Sequence, residues 1–301
     1  MTATAMGSQV ETKKEDSPLT LSTYTFRQVP FDAPYNWLAA GWRDMWRVPR
    51  VSLAYGAAFA IVGLLLVVGL TRVALLSLIL VLAGGFILIG PMLAVGLYET
   101  SRRLEQGEPV SFANTLRVGF HGNGQLAFMG LLLMLVYLAW VEIALLLFML
   151  FFGPQPMPPL DVFASNLLLT PRGLGLLTMG TAVGMALAAI VFTTSAIAAP
   201  LLMTEPVDVV TAATVSVGAC RKNPKVMALW ASLIVGGMVL GLVTPFFGLV
   251  IMFPLIGHAT WHAFRDLLVR GPSGTEESAG RRRRKAAHGS KTGASRPRAC
   301  L

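Results

Sequence analysis

Long stretches without an ionised side chain constrain this chain more than anything else in it. Residues 54–70, 73–97, 174–203 and 226–264 contain no Asp, Glu, Lys or Arg, and residues 126–152 contain only Glu142. A helix needs roughly 20 apolar residues to cross a hydrocarbon layer of about 30 Å. In lipid, a helix satisfies its backbone polar groups internally. The runs therefore read as transmembrane helices. Of the 301 residues, 54% are hydrophobic and 13% charged, against about a quarter charged in soluble domains. The expected fold class is all-α, a polytopic membrane helical bundle, and a large soluble core is excluded.

Six spans are expected, at about 54–70, 73–97, 126–152, 174–203, 226–243 and 246–261. Thr71 and Arg72 leave room only for a short turn. The prolines at 154, 156, 158 and 159 cannot continue a helix, and they open an external loop. The last two spans are divided at Thr244-Pro245, across a very tight turn. The membrane domain is expected over 31–265. Residues 1–30 are expected as a disordered polar arm without the apolar core of a signal peptide. Residues 266–301 are expected as a basic, disordered tail.

Charge placement orients the bundle. With six spans, Arg72 and Arg172 lie on one side and the other 22 of the 24 Lys and Arg lie on the opposite side. Cytoplasmic loops carry the Lys/Arg excess, so both termini are expected in the cytoplasm. The run Arg281–Arg282–Arg283–Arg284–Lys285 suits anionic lipid headgroups. It lacks the aromatic platform of a nucleic-acid site, and no nucleic acid is expected as a partner. A membrane-protein partner or a homo-oligomer is left open. The two cysteines, Cys220 and Cys300, are too few for a thiolate cluster. No cofactor is predicted.

Ahead of the first span, Trp37, Trp42 and Trp46 stand beside Arg43, Arg47 and Arg50. The three Arg share a helix face. Trp at headgroup level with Arg towards anionic lipid anchors an interfacial helix, and these six residues are expected to do so. Similar junctions recur around Gly124 and Pro224. Each following hairpin has Pro in its second helix, at Pro91, Pro200 and Pro254. This suggests three repeated units, each an interfacial helix plus a hairpin. Kinks at matching positions open a central cavity or allow tight packing.

Glu142 is the one acid deep in a span. A carboxylate there costs about 2.5 kcal/mol or more, so it reads as a proton or cation site, or as a neutral hydrogen-bonded acid near the outer leaflet. His258 and His262 share a helix face at i,i+4. That spacing suits metal or haem, or two headgroup anchors beside Trp261. No phosphate loop, nucleophile elbow or metalloprotease motif is present.

The stretch 37–55, together with GPMLAVGLYETSRRLEQGE at 90–108, resembles a proteobacterial family of predicted integral membrane proteins with a domain of unknown function. The likeness covers most of 35–265. It implies a bacterial inner-membrane location and no established activity. Some members carry a label of cytochrome oxidase subunit one. This sequence departs from that enzyme by having too few spans and too few His. The expected role is structural, in assembly or in membrane homeostasis, leaning away from an enzyme. The alternatives are a small-solute or ion transporter using Glu142 and the Pro-kinked spans, and a cofactor-binding redox subunit.

Overall fold

The structure, a computed structural model, describes residues 24–113, 115 and 124–270. Most of both expected tails, including the 281–285 charge run and Cys300, lies outside the described residues. So do His121, His288 and the junction just before Gly124.

The chain begins with β1 (Tyr24–Phe26), α1 (Ala33–Arg47) and α2 (Pro49–Arg72). After a short 3-10 turn come α3 (Ile79–Leu93) and α4 (Val95–Gln106). Then follow α5 (Gly124–Phe152), α6 (Leu160–Leu169), α7 (Pro171–Ser195) and α8 (Ala198–Thr204). Last come α9 (Val209–Lys222), α10 (Pro224–Val243), α11 (Leu249–Leu267) and β2 (Leu268–Arg270). Five stretches are long and apolar enough to cross a membrane: Pro49–Arg72, Leu76–Gln106, Gly124–Phe152, Pro171–Thr204 and Pro224–Val243. The fold is an all-α polytopic bundle, as the uncharged runs require.

The junction residues of the three expected units all begin a helix. Pro49 and Pro224 occupy the first positions of α2 and α10, and Gly124 opens α5. Proline suits that position because the first-turn N–H groups have no intrahelical partner. In the first two hairpins the second helix breaks near its proline. α3 gives way to α4 at Ala94, and α7 to α8 before Pro200. A neighbouring side chain satisfies a backbone group at each break. The Tyr55 hydroxyl donates to the Leu93 carbonyl at 2.7 Å, and the Ile197 N–H donates to Ser216 Oγ at 3.2 Å. In the third hairpin α11 runs unbroken through Pro254.

α11 is the hub, packing against α1, α2, α4 and α10. Its sequence falls short of the five apolar stretches because His258, Thr260, His262, Arg265 and Asp266 occupy its last half. A helix enclosed by other helices meets protein rather than lipid, which removes the need for an apolar surface all round. Its 19 residues span about 28 Å. Two glycines let its neighbours approach. A Cβ at Gly41 would lie 2.6 Å from the Ala259 backbone nitrogen, and one at Gly56 would lie 2.5 Å from the Val250 carbonyl oxygen. Below the helix crossing, Tyr55, Phe59, Phe86 and Phe253 form an aromatic cluster.

Three expectations need correction. The arm is structured from Tyr24 onward, where β1 pairs antiparallel with β2, so the ordered domain reaches beyond both 31 and 265. Asn223 fixes this segment, accepting from the Val29 N–H and donating to the Arg27 carbonyl. The external loop contains α6, whose Phe163 packs with Phe148 and Leu176. Trp37 is 3% exposed and is a core residue rather than a headgroup anchor. It meets Trp230 edge-on, and its indole N–H donates to Asp266 Oδ2 at 3.0 Å.

Candidate functional site

Two features flank α11, one polar and mostly buried, the other apolar and open. The polar feature joins four helices near the end of α11 that leads into β2. On α1, Asp44 is 5% exposed and lies on the buried face that also carries Trp37 and Gly41. Its Oδ2 accepts from Ser101 Oγ of α4 at 2.9 Å and lies 2.7 Å from His262 Nε2. Ser101 Oγ is 2.8 Å from His258 Nδ1, and His258 Nε2 is 2.9 Å from Ser52 Oγ of α2.

The donors along this chain can be assigned. The Ser101 hydroxyl spends its only proton on Asp44, so His258 Nδ1–H must donate to Ser101. A charged ring is costly in a site with no exposure, so His258 Nε2 accepts from the Ser52 hydroxyl. Burial by itself would raise the pKa of Asp44. The hydrogen bond and charge of His262, with the Ser101 hydroxyl, outweigh it and hold this carboxyl below the usual carboxylate range. Arg47 adds an ion pair at 3.6 Å. Both nitrogens of His258 and Nε2 of His262 are thus engaged by protein groups. Among the described residues no group of three or more His, Cys, Asp or Glu is placed to hold a metal ion. Ser52, Ser101 and His258 are all at most 1% exposed, so the inner part of this polar chain ties helices together, and only its His262 and Arg47 end reaches the surface.

The 99–106 part of α4 is saturated in the same way. Glu99 binds Arg102 and Arg103 at 2.6 and 2.7 Å. Glu105 accepts from Trp261 Nε1 at 3.0 Å and from Arg265 at 2.9 Å. Glu108, just beyond the helix, pairs with Arg102 and Arg103 at 3.4 and 3.5 Å, so each ionic residue of this string helps hold α4 to itself, to the turn that follows or to α11.

The opposite side of α11 borders a cleft of about 710 Å³, bounded by α3, α4, α7, α9 and α10. The helices interrupted or crossed by proline converge on it through Pro91, Ala196 and Gly257. Its walls are almost wholly apolar, with Phe192, Trp230 and Met238 among them. At the α9–α10 corner its mouth carries Arg221, an exposed side chain with no ion-pair partner among the described residues. Cys220 also borders it, and burial pushes that thiol up to about 11, which keeps it protonated and poorly nucleophilic.

The sequence candidates fall into three places. His258 and His262 meet in the polar network. Trp42, Trp46, Arg43, Arg47 and Arg50 lie exposed on α1 and the start of α2, with the two Trp rings 5.6 Å apart. Glu142 lies alone on the outward face of α5, exposed, away from both the network and the cleft. Sequence reasoning missed Asp44, Ser52, Ser101 and Arg221. Asp44 carried a usable signal as the only acid of α1, on the same face as Trp37 and Gly41.

Residues 78–204 match the model of the DUF2189 family, described as predicted integral membrane protein. This covers α3 to α8 and includes the 90–108 string, whereas the 37–55 stretch lies outside the match. No curated protein matches, and no solved structure matches. The chain is an integral membrane protein carrying a domain of unknown function.

Proposed function

We propose that this integral membrane protein serves membrane homeostasis by holding a membrane amphiphile in its cleft, with an anionic headgroup at Arg221. The reading rests on one observation: an apolar cleft within the helical bundle ends at a guanidinium without an ion-pair partner. Ligand sites fall at about 300–1,000 Å³, with mostly apolar walls and a few placed polar groups. Arg suits a phosphate or carboxylate because its planar fork meets two oxygens at once. We place the protein in a bacterial inner membrane, with both termini and Arg221 on the cytoplasmic side and α11 as a sixth crossing, because this arrangement segregates the Lys and Arg residues. Anionic lipid is enriched in that leaflet.

A solute conduit is the competing reading, because the same proline-bearing helices line the cleft. It is weakened by the position of Glu142, which contributes nothing to the cleft wall. The test is native mass spectrometry after gentle extraction from the original membrane. The wild type should retain an amphiphile of defined mass. Ala231→Trp, which fills the cleft, should lose it, and Arg221→Gln should lose the preference for an anionic headgroup. Wild-type protein that emerges bare, or an amphiphile retained equally by Ala231→Trp, overturns the proposal.

A further inference from the structure

α5 buries one side and leaves the other uncovered. Its inward face is committed: Leu133 is buried, Trp140 donates to the Val81 carbonyl at 2.8 Å, and Tyr137 lies against Gly85. Its outward face carries Phe128, Leu131, Leu135, Leu138, Glu142, Leu145 and Met149. These positions lie in steps of three and four along one face of the helix, which the 66%-exposed Leu146 shares. All but Leu145, which is half-buried, are exposed. Glu142 interrupts this apolar stripe. It lies about 27 Å from the start of α5 and about 15 Å from its end, inside the apolar layer rather than at its rim. Among the described residues no group hydrogen-bonds or pairs with it.

We propose that this stripe is the contact between two copies of the chain, with the two Glu142 carboxyls meeting across it. Copies inserted in the same orientation hold Glu142 at the same depth. A two-fold axis along the membrane normal therefore brings the stripe onto itself. A carboxylic acid O–H then donates to the facing carboxyl oxygen, so each copy supplies the partner that the other lacks. A lone polar residue in such a stripe also fixes register, because any slip leaves both carboxyls in hydrocarbon. Lipid alone would favour an apolar residue at position 142. A different chain would have to bring its own hydrogen-bonding group to this depth, whereas a second copy in the same orientation carries one there.

Disulfide trapping in native membranes tests this. Cys220 and Cys300 are first replaced by Ser, and single cysteines are placed on the full-length chain. Leu135→Cys and Leu138→Cys should trap a homodimer about tenfold more than Leu150→Cys or Leu65→Cys, which are more exposed but off the stripe. Added to Leu138→Cys, Glu142→Gln should preserve the product, since an amide pair also hydrogen-bonds, and Glu142→Leu should reduce it about tenfold. Four outcomes overturn the proposal. They are equal trapping at the off-stripe positions, insensitivity to Glu142→Leu, loss with Glu142→Gln, and a trapped product whose mass is that of a different partner.

Discussion

Asp44 is the residue on which the polar network turns, since it accepts from Ser101, faces His262 and pairs with Arg47. Its folded pKa is depressed below the ordinary 3.8. Its ionised form therefore contributes stability above that pH, and the contribution is lost as pH falls through the lower folded value. Asp44→Asn should cost about 1.5–3 kcal/mol at neutral pH, the range for hydrogen bonds to a charged group. Thermal melts in detergent should show the gap between the variant and wild type constant from neutral pH down to about 5 and narrowing only below about 4. A gap that narrows already near neutrality would assign the stability to another group. Little of this network was legible beforehand. His258 lies 206 residues from Ser52 and 157 from Ser101 in the chain. Periodicity shows that two His share a face, but not that a helix from the other end of the sequence covers it. Glu142 was legible because a single acid in an uncharged run is visible without any partner.

At the scale of elements, close approach rather than hydrophobicity decides which helix sits in the middle. α11 is the least apolar of the long hairpin helices and the most enclosed, and glycines on α1 and α2 admit its backbone. Gly56→Ala should therefore force α2 away from Val250, since the opposing atom is a carbonyl that cannot rotate aside. Overpacking of this kind costs about 1–3 kcal/mol. The same change at Gly69, with open space around its would-be Cβ, should be neutral or slightly stabilising. Melting temperatures of the two variants in one detergent compare them directly, and equal effects would contradict the packing account. The spans themselves were readable because an uncharged run of sufficient length has few alternatives in lipid. The last expected span was the least secure, because α11, enclosed by other helices, carries His, Arg and Asp in its last half. Trp37 misled for a related reason: Trp beside Arg suits an interface, yet one face of the same amphipathic helix must pack inward, and Trp37 lies on that face with Gly41 and Asp44.

Across the whole molecule, alternation of the helix ends puts Arg221 and the polar network at the same end of the bundle. α2 ends at Arg72 and α7 begins beside Arg172, whereas α1, the end of α4, α9 and the end of α11 carry most of the described basic residues. If the Lys/Arg excess sets orientation, Arg72, α6 and the 244–248 turn face outward together, and β1, β2 and Arg221 face the cytoplasm. Single cysteines at Thr71, Ser165 and Thr244, in a chain with Cys220 and Cys300 replaced by Ser, should then react with a membrane-impermeant maleimide in intact cells. One at Thr25 or Ser111 should react only after the membrane is opened. Thr244 fixes the side of the last turn, and Val269 decides the number of crossings. With six spans it labels with Thr71 and Ser165. If α11 failed to cross while the preceding spans kept their orientation, Thr244 would still label from outside, but Val269→Cys beyond α11 would label there too. Protection of Val269→Cys in intact cells, with labelling at Thr244→Cys, is therefore the pattern expected of a buried sixth span. It would also require β2 to return to the same side as its partner β1, in keeping with the observed pairing of Tyr24–Phe26 with Leu268–Arg270.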